Sequence, residues 1–569
     1  MKDPNGVPFT RAHECDCEGP GVVPALRGGF RLEMTGRIVV GWPVETGAGR
    51  LRFRKGRVMK IPTCGRRAFS RRAAFVSLLL VSAAVALTGT RAAGANIYTA
   101  GTPVDTSAGT SPFIGCIADN AAVQQTFSTL FTNAQPEPRV AVNPTNPMNI
   151  VSAYHQDRWN NGGNRGMSFS VSHDGGATWT RSVMPGVSKC SDGAYDRASD
   201  PWVTFTPNGV AYAISLSFDV FDPNNAVLVL KSTNGGNTWS APIPLIADTF
   251  LGSGNDKESI TADPSDPSGN LVYAVWDRFI SPPSGIAADQ GVFRARAFRQ
   301  QAWFSRTTNG GVSWEPARPI YNPGTFAATI GNVIQVVSNG DLVDGLVVFH
   351  FRPTLRLEVA VIRSSDKGVS WSKHATTVAP LDTSFPGAHD PDNGNPIRSG
   401  GLPDFATGPN NTLYAVWEDD HPTAGVDAIQ FSQSTDGGLT WSDPIKINKT
   451  PTNIPAGDQQ AFTPTIKVAS DGTIGVTYYD LRNNTPAAGL PTDYWFVHCH
   501  ASCTSASSWS ETHVAGSFDL EQAAVARGYF LGDYEGLDTI GNSFAAFFDE
   551  AGVSQAIDPS DVYFSKITP

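Results

Sequence analysis

From about residue 135 to the C-terminus the chain is written in short apolar runs separated by Gly, Pro, Asn and Asp. Runs of three to seven residues, rich in Val, Ile, Phe, Tyr and Trp, predict strands rather than helices. They come in sets. The first two runs of each set lie at 139–142 and 150–154, 202–205 and 210–216, 259–262 and 271–276, 333–337 and 346–349, 405–407 and 413–417, and 465–468 and 474–479. A third run follows, as at 167–171, 226–230 or 428–432. An octapeptide then leads into a short fourth strand such as 444–447.

The octapeptide has the pattern S/T-x-D/N-x-G-x-S/T-W. Its copies lie at 172–179, 232–239, 307–314, 364–371 and 434–441, with a degenerate one ending at Trp509. The Trp residues are 60, 75, 57, 70 and 68 positions apart. Each copy reads as a turn: the Asp or Asn side chain accepts from nearby backbone, Gly supplies a positive φ, and Trp buries a large face. Four antiparallel strands repeated every 60–75 residues predict an all-β fold, a β-propeller. Counting runs at 533–538, 543–548 and 561–567 as a last unit gives seven four-stranded blades, with six as the alternative. An N-terminal strand, expected at 125–131, closes the last blade and removes its open edge.

Composition changes the picture at the N-terminus. Arg66, Arg67, Arg71 and Arg72 precede the apolar stretch 73–87 and the small residues Ala93-Gly94-Ala95, the layout of a secretory signal over 59–95, with Arg66-Arg67 resembling a twin-arginine signal. Residues 1–58 read as an untranslated or disordered extension, 96–134 as a segment carrying the closing strand, and 135–569 as the repeat domain. After residue 95 the chain holds 26 Lys+Arg against 46 Asp+Glu, a net charge of −20. Such acidity argues against nucleic acid and anionic membrane as partners. The four remaining cysteines, in an exported monomer, read as the disulfides 116–190 and 499–503. A metal at His498-Cys499-His500 is the lesser alternative.

The octapeptides are Asp boxes, and the chain resembles the sialidase-like propeller superfamily over 135–569. Strand parity places the boxes on one face and gathers first-strand starts and second-strand ends on the other. Those positions hold Arg139, Asp200, Asp256, Glu258, Asp404, Asp533 and Tyr534, and Asp157, Arg158, Arg278, Arg352, Asp480 and Arg482. What the resemblance implies is a glycoside hydrolase acting on carbohydrate. Tyr534 would be its nucleophile, Glu258 the base, Asp157 the acid and Arg139 a substrate clamp, with the remaining residues binding substrate. The excess of carboxylates suits a neutral sugar or a cation better than an anionic sugar. A non-catalytic glycan- or protein-binding propeller and a carboxylate-lined metal site are the competing readings. Two lesser features are Asp390, Asp392, Asn393 and Asn395, at calcium-like spacing, and the basic loop 294–299, read as a solvated loop or a lid. No other cofactor is expected.

Overall fold

The computed structural model describes residues 97–280, 299–382, 387–399 and 401–569. The expected extension, the export signal and loop residues 294–298 lie outside the described residues. The regular structure of the described chain is almost entirely antiparallel strand, in meanders of four. The first meander runs Arg139–Val142, Ile150–Trp159, Asn164–Ser172 and Thr180–Val183; the second Arg197–Phe205, Ala211–Phe218, Asn225–Ser232 and Ile243–Asp248. A single pairing, Asn164 with Ala198, joins these two into one nine-stranded sheet that also includes Leu130–Phe131.

Four separate four-stranded sheets follow. They begin with Ser253–Ala262, Ala327–Val336, Asp404–Thr407 and Ala461–Val468 and end with Arg318–Tyr321, Thr376–Leu381, Ile445–Lys446 and Ser510–Asp519. The seventh meander has three strands of its own, Gly536–Ile540, Ser543–Ser554 and Asp558–Thr568. Thr99–Ala100 and Val104–Asp105 both pair with the last of these.

The expected closing strand at 125–131 is therefore corrected. Ala121–Gln124 is one helical turn, and Leu130–Phe131 pairs instead with Trp159 and Arg158 of the first meander. Burial explains the choice of the earlier segment. Tyr98, 2% exposed, anchors it by packing its ring on Phe496 and Phe544.

Each octapeptide closes the turn between third and fourth strands. In the first copy the Ser172 hydroxyl and the Thr178 N–H both donate to Asp174, at 2.8 and 2.9 Å, while the Gly176 N–H donates to Ser172 Oγ at 2.9 Å. The Asn234, Asn309, Asp366 and Asp436 copies repeat these bonds. Gly176 has φ +96°, and a Cβ there would meet the Phe564 ring at 2.1 Å, so the site admits no side chain.

The turn delivers its Trp to the preceding meander. Trp239 stacks on Phe169 at 4.3 Å, Trp314 meets Tyr212, Trp371 meets Phe304 and Trp509 meets Phe431. Trp179 of the first meander packs on Phe547 and Phe564 of the seventh. In the degenerate copy the Cys499–Cys503 disulfide stands in place of the Asp, and the Cys503 carbonyl accepts from the Trp509 indole at 2.9 Å. The other disulfide, Cys116–Cys190, forms as expected.

First strands of successive meanders pack against one another, and that of the seventh packs against that of the first. Residues from all of them, including Val140, Val203, Ile260, Ile334, Phe405, Ile466 and Leu537, line a single cavity of about 350 Å³. It is bounded by Arg139 and Asp404 at the start of first strands, with Trp202 at the bulge of another, and by Pro144, Pro207 and Pro264 beyond their ends.

Candidate functional site

The first strands, or the residues just before them, share a local geometry. Glu137, Asp200, Lys257, Gly331 and Thr463 all have φ between +46° and +82°. In four of the meanders the register shifts at this point, between Ser199 and Trp202, Asp256 and Ser259, Ile330 and Val333, and Phe462 and Thr465. Such bulges leave a backbone N–H without a ladder partner, and a side chain of the preceding meander takes it up. Asp200 N–H donates to His155 Nε2 (3.0 Å), Lys257 N–H to Asp200 (3.0 Å), Gly331 N–H to Asp277 (2.9 Å) and Thr463 N–H to Glu418 (3.2 Å). Much of the polar character that the sequence concentrates here thus ties one meander to the next. Sequence reasoning missed these joints, although Pro138, Pro201 and Pro464, each directly after a positive-φ residue, are a visible signal.

The bulges assemble a buried charged layer. Arg139 lies 3.6 Å from Asp404 and places its guanidinium 3.6 Å from the Trp202 ring centre and 4.6 Å from that of Tyr534. Lys257 sits 4.1 Å from the centre of the same Tyr534 ring. The Tyr534 hydroxyl donates to the Pro201 carbonyl at 3.3 Å. Burial, reinforced by Glu137 and Asp200, raises its pKa well above the ordinary value, so it is a neutral phenol.

Glu258 is fully buried, neither oxygen has a hydrogen-bond partner, and burial together with Asp200 drives its pKa far up. Burial brings Lys257 down to about 8 and Glu137 up to about 7. Glu137 Oε2 lies 2.9 Å from His155 Nε2, and burial, aided by Arg158, holds that imidazole well below its usual range. Glu258 and Tyr534 are thus held neutral and Lys257 is shielded by the aromatic rings around it, as a low-dielectric site requires.

The structure thus gathers Arg139, Asp200, Glu258, Asp404 and Tyr534. Asp533 lies beside them, forming a bidentate pair with Arg398 at 2.9 and 2.5 Å. Asp157 is fully buried and accepts from Ser111 Oγ, the Asn133 N–H and Gln156 Nε2 at 2.8–3.0 Å. Arg158 stacks over Phe530 and donates to the Gly163 carbonyl. Asp256 is half-buried just before its bulge, paired in register with Asp277.

Arg278, Arg352, Asp480 and Arg482 are not brought to this layer, which corrects their expected place. Arg278 pairs with Asp248 on the outermost strand of the second meander, at 2.7 Å. Arg482 bonds Asp480 and Glu511, the latter on the outermost strand of the sixth, and stacks on Trp495 at 3.6 Å. Arg352 is exposed over Phe326. Arg278 alternates in face with Asp277 on its strand, while Arg352 and Arg482 lie beyond the ends of the strands Leu342–His350 and Ile474–Asp480.

Two crossovers lie over the layer. Tyr529 N–H donates to the Pro396 carbonyl and Arg398 N–H to the Tyr529 carbonyl, and the Leu531 carbonyl accepts from Glu137 N–H. Beside them an open groove of about 560 Å³ is lined by Asn393, Asn395, Glu521, Gln522, Tyr529 and Gln555, among others. Here the loop with calcium-like spacing turns its amides outward along the groove. Asn395 Nδ2 donates to Tyr529 Oη at 3.0 Å and Asn393 Nδ2 to Glu521 at 3.1 Å, while Asp390 accepts from the Asp392 N–H.

No family model matches the chain, and no curated protein matches it. Among solved structures it is similar to an α-L-arabinanase of Penicillium chrysogenum complexed with arabinobiose, at 11% identity and TM-score 0.42, covering 82% of this chain and 98% of that one. A protein of unknown function from Dyadobacter fermentans gives 14% identity and TM-score 0.41, covering 77% and 97%. A variant of the NanB sialidase from Streptococcus pneumoniae gives 10% identity and TM-score 0.40, covering 83% and 98%.

Proposed function

We propose that this protein is an exported, carbohydrate-handling propeller of the sialidase-like superfamily, its seven meanders acting as blades closed into a ring by Thr99–Ala100 and Val104–Asp105. Ring closure is supported by the first strands that share one cavity and by Trp179 of the first meander packed on the seventh. Export is supported by the two disulfides. No described helix is long and apolar enough to cross a membrane.

Recognition of a neutral glycan in the groove between the crossovers is the reading the geometry supports best. One observation carries it: the accessible concavity is lined by amides and a carboxylate. Asn393, Asn395, Gln522, Gln555 and Glu521 offer the adjacent donors and acceptors that vicinal sugar hydroxyls need.

Hydrolysis is the second reading, favoured by the convergence of Arg139, Glu258 and Tyr534. In that version Glu258, which burial holds protonated, first gives up its proton. Tyr534 then attacks the anomeric carbon while Glu258 takes the phenol proton and Asp157 protonates the leaving group. Water finally releases the sugar from Tyr534. Tyr534 would first have to exchange its bond to Pro201 for one to a carboxylate. A glycan array and a panel of fluorogenic glycosides, run on wild type, Asn395→Ala with Gln522→Ala, and Tyr534→Phe, separate the two. Binding lost only in the groove variant, without turnover, supports recognition. Turnover lost in Tyr534→Phe supports hydrolysis. Neither binding nor turnover in wild type overturns both.

A further inference from the structure

The cavity enclosed by the first strands is a blind funnel. Arg139 and Asp404 at one end are buried, Val142, Thr204, Gln335 and Lys467 are half-buried, and Pro144 and Pro264 at the other end are exposed. The exposed end opens among the octapeptide turns. Gly175 N–H donates to the Met148 carbonyl and Gly310 N–H to the Asn270 carbonyl, which ties an octapeptide to the turn between first and second strands. The crossovers and the groove lie beyond the closed end, over the charged layer. The funnel walls are mostly apolar, with Val203, Ile260, Ile334, Phe405, Ile466 and Leu537 among them. Arg139–Val142 spans about 10 Å at about 3.3 Å per residue, the reach of a medium-chain alkyl group.

The closed end carries unfilled donors. Arg139 is 7% exposed, and among the described residues none of its guanidinium N–H groups bonds an acceptor; Nε is wholly buried. Lys257 is buried as well, and its Nζ has no hydrogen-bond partner. Both cations stand on the Trp202 ring, Arg139 at 3.6 Å and Lys257 at 4.6 Å from its centre. Among the described residues Asp404 is the one acid in ion-pair range of either. It lies 3.6 Å from Arg139, and the same oxygen accepts from the Ile466 N–H at 3.1 Å. A buried guanidinium whose donors go unfilled is costly, and an anionic acceptor that meets it in a fork restores those bonds.

We infer that this channel binds an alkyl monocarboxylate, its carboxylate on the Arg139 guanidinium and its chain along the apolar wall toward Pro144 and Pro264. The carboxylate matches the planar donor edge of an arginine, and Lys257 adds positive charge behind it. The chain gains by leaving water for aliphatic walls, which offer the hydroxyls of a sugar few partners. The ligand enters from the face opposite the crossovers. The site is therefore separate from the groove, and the inference does not rest on glycan recognition there.

Calorimetric titration of the full chain with octanoate and with octanol tests this. The variants are Arg139→Gln and Gln335→Trp, which narrows the channel from a half-buried wall position, and melting temperatures verify their folds. Octanoate binds wild type one to one, and octanol binds at least about tenfold more weakly because it lacks the charge-assisted pair. Each variant weakens octanoate at least about tenfold, whereas Asn395→Ala with Gln522→Ala leaves its affinity unchanged. Should Arg139→Gln fail to fold, the octanol comparison and Gln335→Trp carry the test. Equal affinity for octanoate and octanol overturns the role of Arg139. Octanoate binding that is absent from wild type, unchanged in Gln335→Trp, or lost in the groove variant overturns the channel as the site.

Discussion

The two ends of the meanders use the same residue type in opposite ways. In the octapeptide turns Asp174, Asp366 and Asp436 are solvent-facing or nearly so, and hydroxyl and backbone donors hold their pKa near 2. At the other end, burial pushes Asp277 and Glu418 up to about 7. The turn carboxylates are charged acceptors inside one octapeptide. Those of the charged layer are acids that bridge to a backbone N–H in the next meander. A local motif therefore works through its charge, whereas a long-range joint works through hydrogen bonding in a low dielectric.

The disulfides repeat the contrast and give the largest expected effect. Cys116–Cys190 spans 74 residues and ties the N-terminal segment to the connection between the first and second meanders, while Cys499–Cys503 spans four and rebuilds one turn. Loop entropy gives about 4 kcal/mol for the first and about 2 for the second. Denaturant unfolding of Cys116→Ser/Cys190→Ser against Cys499→Ser/Cys503→Ser measures the difference, and equal losses would break the distinction.

Asp277→Ala comes next. It strips an acceptor from the Thr329 hydroxyl and the Gly331 N–H, at a cost of roughly 2–4 kcal/mol. Asp277→Asn sharpens the comparison through pH. The folded protein keeps a proton on Asp277 that the unfolded chain releases from about pH 4 upward, so stability falls between about pH 4 and about 7. The Asn variant flattens that fall in denaturation curves taken across the window.

Asp366 has the opposite sign. Its lowered pKa contributes stability above about pH 4 that is lost as pH falls toward 2. Asp366→Asn, matching the natural Asn234 and Asn309 copies, keeps the turn and removes this acid sensitivity. Its effect on the melting temperature at neutral pH is the smallest of the set.

Legibility in the sequence followed the same divide. The meander order, the turns and both cysteine pairs could be read because each is set by a few adjacent residues or by an even count of thiols. The charged layer was read as to place but not as to state. Arg139 and Tyr534 do converge, yet periodicity carries no sign that Asp157 would be taken up by Ser111 and Asn133, or that the segments around Pro396 and Tyr529 would lie above. Arg278 and Arg482 show the limit of phase counting: the first lies within the strand Val272–Ile280 and the second two residues past Ile474–Asp480, and each turns to an outer strand, where Asp248 or Glu511 waits.

By itself, the order of residues determined an all-β chain of repeated four-strand units. Alternating apolar runs, turn residues and an eight-residue bonding pattern are local, and each acts over a few ångströms along the backbone. Tertiary structure alone decided which N-terminal strand pairs with Asp558–Thr568, which acids are neutral and which concavity is accessible. Those depend on burial and on partners as many as several hundred residues away, and no local pattern encodes the dielectric around a side chain.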